Sequence, residues 1–124
     1  MKYYFFLLTS LLLVGCTLTE NYSVQYGFSN EITTETKFDV ADKMIKAEVP
    51  FADFSCDQKS FKATLSRKNQ VLTMRLKGTE TTERCSAKFF TNISGLTAGN
   101  YQFRLVYEHD GKTDQVMSKD FSIP

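Results

Sequence analysis

Tryptophan is absent from these 124 residues, histidine occurs once and cysteine three times. With His109 the single imidazole, a hydrolytic triad has only one base to use, and that residue falls at the edge of a predicted turn, where an exposed turn residue is the plainer reading. His109 with Asp110 and Asp114 has no recognised metal-ligand spacing, so no metal and no cofactor are expected. No Gly-rich phosphate loop, internal repeat or low-complexity block occurs, and no ten-residue segment keeps a helical period. A dominant charge is missing too: 15 Lys and Arg stand against 14 Asp and Glu. That balance excludes a general nucleic-acid binder and a polyacidic tail.

What is present begins with Met1-Lys2 and an apolar run from Tyr3 to Val14, broken only by Thr9 and Ser10. The run is too short for a bilayer span, which takes about 20 apolar residues, and has the form of a signal peptide. Leu13-Val14-Gly15-Cys16 follows and resembles the lipobox of bacterial lipoproteins. The resemblance implies cleavage before Cys16 and lipid on its thiol and amino terminus. Several acyl chains, at roughly 0.8 kcal/mol per buried methylene, anchor where one does not. An ordinary signal peptide with an incidental Cys16 is the alternative. Thr17 is not the aspartate that tends to retain lipoproteins at the inner membrane of Gram-negative cells, so such a cell would carry the chain on its outer membrane. The expected organisation is a signal peptide at 1–15, a lipidated tether at 16–21 and one domain at 22–124. Removing 15 residues from 124 leaves 109, one domain's length. Removing Lys2 from the 15 basic residues leaves 14 against 14 acidic ones.

An exported chain preserves disulfides, and lipidation of Cys16 leaves Cys56 and Cys85 as a pair. A metal or catalytic thiol pair is the rival, but the two have neither CxxC spacing nor a neighbouring histidine. Around them the pattern is period two. Tyr22, Val24, Tyr26 and Phe28 share one parity, and Ser29–Thr36 reads as a loop. Ile45, Ala47, Val49 and Phe51 share another, ended or edged by Pro50. Phe61, Ala63 and Leu65 form a hairpin with Leu72, Met74 and Leu76. Gly78–Glu83 is a polar loop. Cys85, Ala87, Phe89, Thr91 and Ile93 point inward, which suits a buried bridge. Tyr101, Phe103, Leu105 and Tyr107 alternate with Gln102, Arg104, Val106 and Glu108 up to Asp110-Gly111, a strong turn signal. A last strand runs from Thr113 to Ile123. About seven short strands argue for an all-β sandwich or barrel.

Leu96-Thr97-Ala98-Gly99-Asn100-Tyr101-Gln102-Phe103 resembles the tyrosine corner of fibronectin type III and other immunoglobulin-like domains. There the tyrosine hydroxyl bonds back to upstream backbone, and Leu96, Gly99 and Tyr101 would be its structural residues. The fold implied is an immunoglobulin-like β-sandwich. Core tryptophan is lacking, and both cysteines precede the corner tyrosine, so the bridge differs from that of antibody domains. The region Asp42–Ile123 is also similar to small uncharacterised envelope lipoproteins that pair two cysteines around a hairpin, a likeness that implies no activity. Architecture does not fix function.

Charge segregation stands above background. Lys59, Lys62, Arg67, Lys68, Arg75 and Lys77 lie in one hairpin with no acid between them, whereas Glu20–Asp57 holds eight acids and three bases. Lys62, Arg75 and Lys77 point outward and Lys68 sits at the tip, a candidate surface for phosphates, headgroups or an acidic partner. The plainer alternative is pairing with the acidic segment, or solvation. Glu80 and Glu83 read as solvated loop charges rather than an acid–base pair. Phe90 either packs under a loop, occupies the second sheet face or forms a contact patch. No catalytic residue is assigned. The function expected is a non-enzymatic, membrane-tethered binding or accessory module of the cell envelope that meets a protein or an envelope polymer. A protease inhibitor acting through loops such as Gly78–Glu83, or a small envelope hydrolase, is the alternative.

Overall fold

A computed structural model describes residues 22–31 and 33–124. The expected leader, Cys16 and tether fall outside the described residues. Eight strands form: β1 Ser23–Ser29, β2 Lys37–Ala41, β3 Met44–Ser55, β4 Lys62–Lys68, β5 Val71–Lys77, β6 Arg84–Ser94, β7 Gly99–His109 and β8 Lys112–Ile123. They make two four-stranded sheets, ordered β1-β6-β3-β2 and β4-β5-β7-β8. The all-β sandwich expected from the sequence is therefore what forms, with eight strands rather than about seven.

Alternation explains the interior. Ile45, Ala47, Val49, Phe89 and Ile93 of the first sheet meet Leu72, Met74, Leu76, Phe103 and Leu105 of the second, all essentially inaccessible to water. Each such large side chain contributes about 1.5–3 kcal/mol by leaving water. Phe54 is the hub at one end of the sandwich: its ring centroid lies 4.6 Å from Phe61, 4.7 Å from Phe51, 5.1 Å from Tyr107 and 5.3 Å from Phe28. Turn chemistry follows the residues. Asp110 and Gly111 adopt φ of 48° and 73°, the double positive angle of a tight hairpin turn.

The corner motif closes the opposite end. Tyr101 donates its hydroxyl to the Thr97 carbonyl at 2.7 Å and stacks on Phe121 at 5.3 Å. Gly99 is favoured there by its φ of 153°, and a Cβ would also displace the Gln70 side-chain amide, whose nitrogen would lie 2.9 Å away. Leu96 is buried and its N–H donates to the Lys43 carbonyl.

Several features depart from the sequence reading. Lys37–Ala41, left unassigned, is a strand that pairs with β3; only Phe38 packs inward, against Phe103 and Phe121, too short a pattern to stand out. Ser29 belongs to β1 rather than to the loop. Pro50 does not end β3, but it does stand where one side of that strand is an edge, as the sequence reading allowed. The β2 pairing stops at Glu48, so β3 has no neighbour on that side at Pro50, and the missing N–H costs no ladder bond. The Cys56–Cys85 bridge forms, but it lies just past the end of β3 and at the start of β6, and both half-cystines are half-buried rather than buried. Of the three places left open for Phe90, it takes the outer sheet face, its ring over Gly27 of β1, where an added Cβ would come within 2.7 Å of the ring. Finally, β5 runs parallel to β7, because the β4–β5 hairpin lies in the second sheet and the chain descends through β6 of the first before β7 rises beside β5.

Candidate partner-binding face

The parallel pairing assembles the outer face of the second sheet into four cross-strand rows. Lys62 faces Lys77, which faces Glu108; Thr64 faces Arg75, then Val106; Ser66 faces Thr73, then Arg104; Lys68 faces Val71, then Gln102, with Asp120 beyond on β8. Lys62, Lys68, Arg75, Lys77 and Arg104 thus share a face with Glu108 and Asp120, five cations against two carboxylates. Sequence reasoning found the first four. It missed Arg104, which the parallel register brings beside Thr73.

Among the described residues, the ion pairs of the acidic segment go elsewhere, Glu31 and Glu48 to Lys88 and Asp53 to Arg84. Glu108 of β7 neutralises this face in part, through an ion pair with Arg75 and a longer contact of 4.0 Å to Lys77. Arg104 donates from Nε to Gln115 at 3.0 Å, which fixes its guanidinium plane. Between these groups lies a shallow depression of about 390 Å³, walled by Ser66, Lys68, Thr73, Arg75 and Arg104. Its floor includes Val106, only 3% exposed although it points outward. Cationic forks, hydroxyls and a small apolar floor are the groups that receive a phosphate, sulfate or carboxylate.

A second polar cluster braces the bridge end. Glu80 and Arg84, not singled out together by the sequence, meet Tyr107 across the two sheets. The Tyr107 hydroxyl donates to Glu80 at 2.7 Å, and burial together with that carboxylate pushes its pKa up to about 12. Arg84 donates to Asp53 at 2.7 Å and to Glu80 at 3.0 Å; these carboxylates hold the guanidinium charge even more firmly than usual, Asp53 foremost. Glu80 is 19% exposed, so the solvated-charge reading is corrected for it, while Glu83 is exposed as expected. The signal available was an inward tyrosine near a strand end, which needs an acceptor for its hydroxyl. The 78–83 loop is pinned as well: Ser55, wholly buried, donates to the Thr79 carbonyl, and the Cys56 N–H donates to Thr81 Oγ1.

His109 is not the open turn residue expected. It stacks on Tyr107 at 4.5 Å and is 21% exposed. Its Nε2 meets Asp114 at 2.5 Å, and that carboxylate, with Asp110, raises its pKa. Among the described residues, no group of three or more His, Cys, Asp or Glu is placed to hold a metal ion. No helix among them is long and apolar enough to cross a membrane. Comparison with protein-family models, curated proteins and solved structures finds no match of any of the three kinds.

Proposed function

We propose that this chain is a lipoprotein of the bacterial cell envelope, fastened through Cys16, that acts as a non-enzymatic binding module and presents the outer face of its second sheet to an anionic partner, a protein or an envelope polymer. The observation that carries the reading is the gathering of Lys62, Lys68, Arg75, Lys77 and Arg104 on one face, with Lys68, Arg75 and Arg104 lining a shallow depression. The sandwich interior is filled with side chains, so recognition falls to the outer surface. Loop 78–83 would be the contact of a protease inhibitor, but its pinning serves equally to brace the bridge and does not favour that reading. Two measurements test the proposal. Intact mass of protein from its exporting host should show residues 1–15 removed and residue 16 acylated. Crosslinking in intact cells should lose its adducts when Lys62→Glu, Lys77→Glu and Arg104→Glu are combined; unchanged adducts from a folded variant would sink the binding face, and an unmodified Cys16 the anchor.

A further inference from the structure

Among the described residues, four strands stand at the borders of the two sheets: β1 and β2 in the first, β4 and β8 in the second. A border strand offers unpaired amides and carbonyls to any extended chain, and folded proteins defend such strands with charge, proline, bulges or shortness. Three of the four are defended here. β2 has five residues, Lys37 and Asp39 among them. β4 carries Lys62, Arg67 and Lys68. β8 carries Lys112, Asp114, Lys119 and Asp120, and Val116 is an extra residue where its register with β7 slips.

β1 has none of these devices. Its sequence, Ser-Val-Gln-Tyr-Gly-Phe-Ser, contains no charge and no proline, and it pairs with β6 over all seven residues without a slip. Val24 and Phe28 are half-buried against the core, while Tyr26 between them is 37% exposed. The segment that leaves β1 does not return along this border. Its Glu31 is tied to Lys88 of β6, and Thr33 and Thr34 line a cavity with Pro50 and Phe51 of β3.

We propose that the β1 border is a self-association site, where a second copy of this chain adds its own β1 antiparallel about Tyr26 and fuses two first sheets into one. The strand is complementary to its own reverse. With Tyr26 on the two-fold axis, Val24 meets Phe28 of the second copy, Ser23 meets Ser29, and Gln25 meets Gly27, so apolar meets apolar on the core-facing side and no like charges face each other. The isologous pairing satisfies backbone groups on both copies at once. On the neighbouring border of the second sheet, Lys62 and Lys68 of β4 repel their counterparts, so the joint is confined to the first sheets and salt strengthens it. One strand pair buries less than the roughly 1,000 Å² of a stable dimer. The association is therefore weak in dilute solution and raised where copies are concentrated on a surface. It does not depend on what the second sheet binds.

The test uses the full chain from its exporting host. Tyr26→Cys should convert to a disulfide-linked homodimer several-fold more than Val40→Cys, which places an equally exposed thiol on the opposite border. Sedimentation of the wild-type protein in detergent should show a monomer–dimer equilibrium that shifts towards dimer with added salt and disappears in Tyr26→Lys. Should Tyr26→Lys fail to fold, the two cysteine variants decide alone. Equal crosslinking of both cysteine variants, or Tyr26→Cys captured by a different protein in place of itself, overturns the proposal.

Discussion

Gly27 and Phe90 are coupled strongly enough for the sign of one substitution to depend on the other. A Cβ at Gly27 would stand 2.7 Å from Phe90 Cζ and 3.0 Å from Cε1, whereas carbon atoms rest at about 3.5–4.0 Å, so the ring must retreat by roughly 1 Å. Overpacking of this kind costs about 1–3 kcal/mol, and the half-exposed ring of a flexible side chain places the cost near the lower end, about 1.5 kcal/mol. Against this, alanine in a strand gains about 0.5–1 kcal/mol over glycine, and Gly27 has no positive φ that would withhold the gain. Gly27→Ala alone should therefore destabilise by about 0.5–1 kcal/mol. In a Phe90→Ala background the obstruction is gone, and the same change should stabilise by about 0.5–1 kcal/mol. Urea unfolding of the four proteins of the cycle, compared at matched slope, reads the coupling, expected near 1.5 kcal/mol. Effects that add to within about 0.3–0.5 kcal/mol would refute the packing argument.

Other expectations can be checked with the same unfolding assays. Replacing Cys56 and Cys85 by alanine, which opens a loop with a sequence separation of 29, should cost about 3.5 kcal/mol by loop-closure entropy, read as a large fall in thermal midpoint. Tyr101→Phe removes the bond to the Thr97 carbonyl and should cost about 0.5–1.5 kcal/mol by urea unfolding. The pKa of His109 is raised in the folded protein by Asp114 and Asp110, so its contribution is fully present below the ordinary histidine value of about 6.5 and is lost as pH rises through the folded value. The stability gap between wild type and His109→Gln should accordingly narrow on going from acid to mildly alkaline solution. A gap that is constant or widens would contradict the ion pair.

Seven of the eight strands were legible because each sets several apolar residues at alternate positions, which is all that period two requires. β2 was not, since Phe38 is its only inward anchor. Pro50 was legible as an edge position because proline has no N–H for a ladder bond, but nothing local reveals that β3 runs on past it to Ser55. The candidate face was legible only in part. Lys62, Arg75 and Lys77 were placed outward correctly from local alternation, but Glu108 as their neutralising neighbour and Arg104 as their companion depend on the parallel β5–β7 register, which joins segments some 30 residues apart. Glu80 failed for the same reason: a loop glutamate reads as solvated until the hydroxyl of Tyr107 is known to lie beneath it.

The bridge links the end of β3 to the start of β6, strands already adjacent in the first sheet, and between the two half-cystines lies the whole β4–β5 excursion into the second. Lys62, Lys68, Arg75 and Lys77 therefore ride on a covalently closed ring whose neck is held by the S–S bond together with the Ser55–Thr79 and Cys56–Thr81 hydrogen bonds. Cutting the S–S bond would return conformational freedom chiefly to the unfolded chain, while the β5–β7 pairing and the buried Leu72, Met74 and Leu76 still hold the four cations beside Arg104.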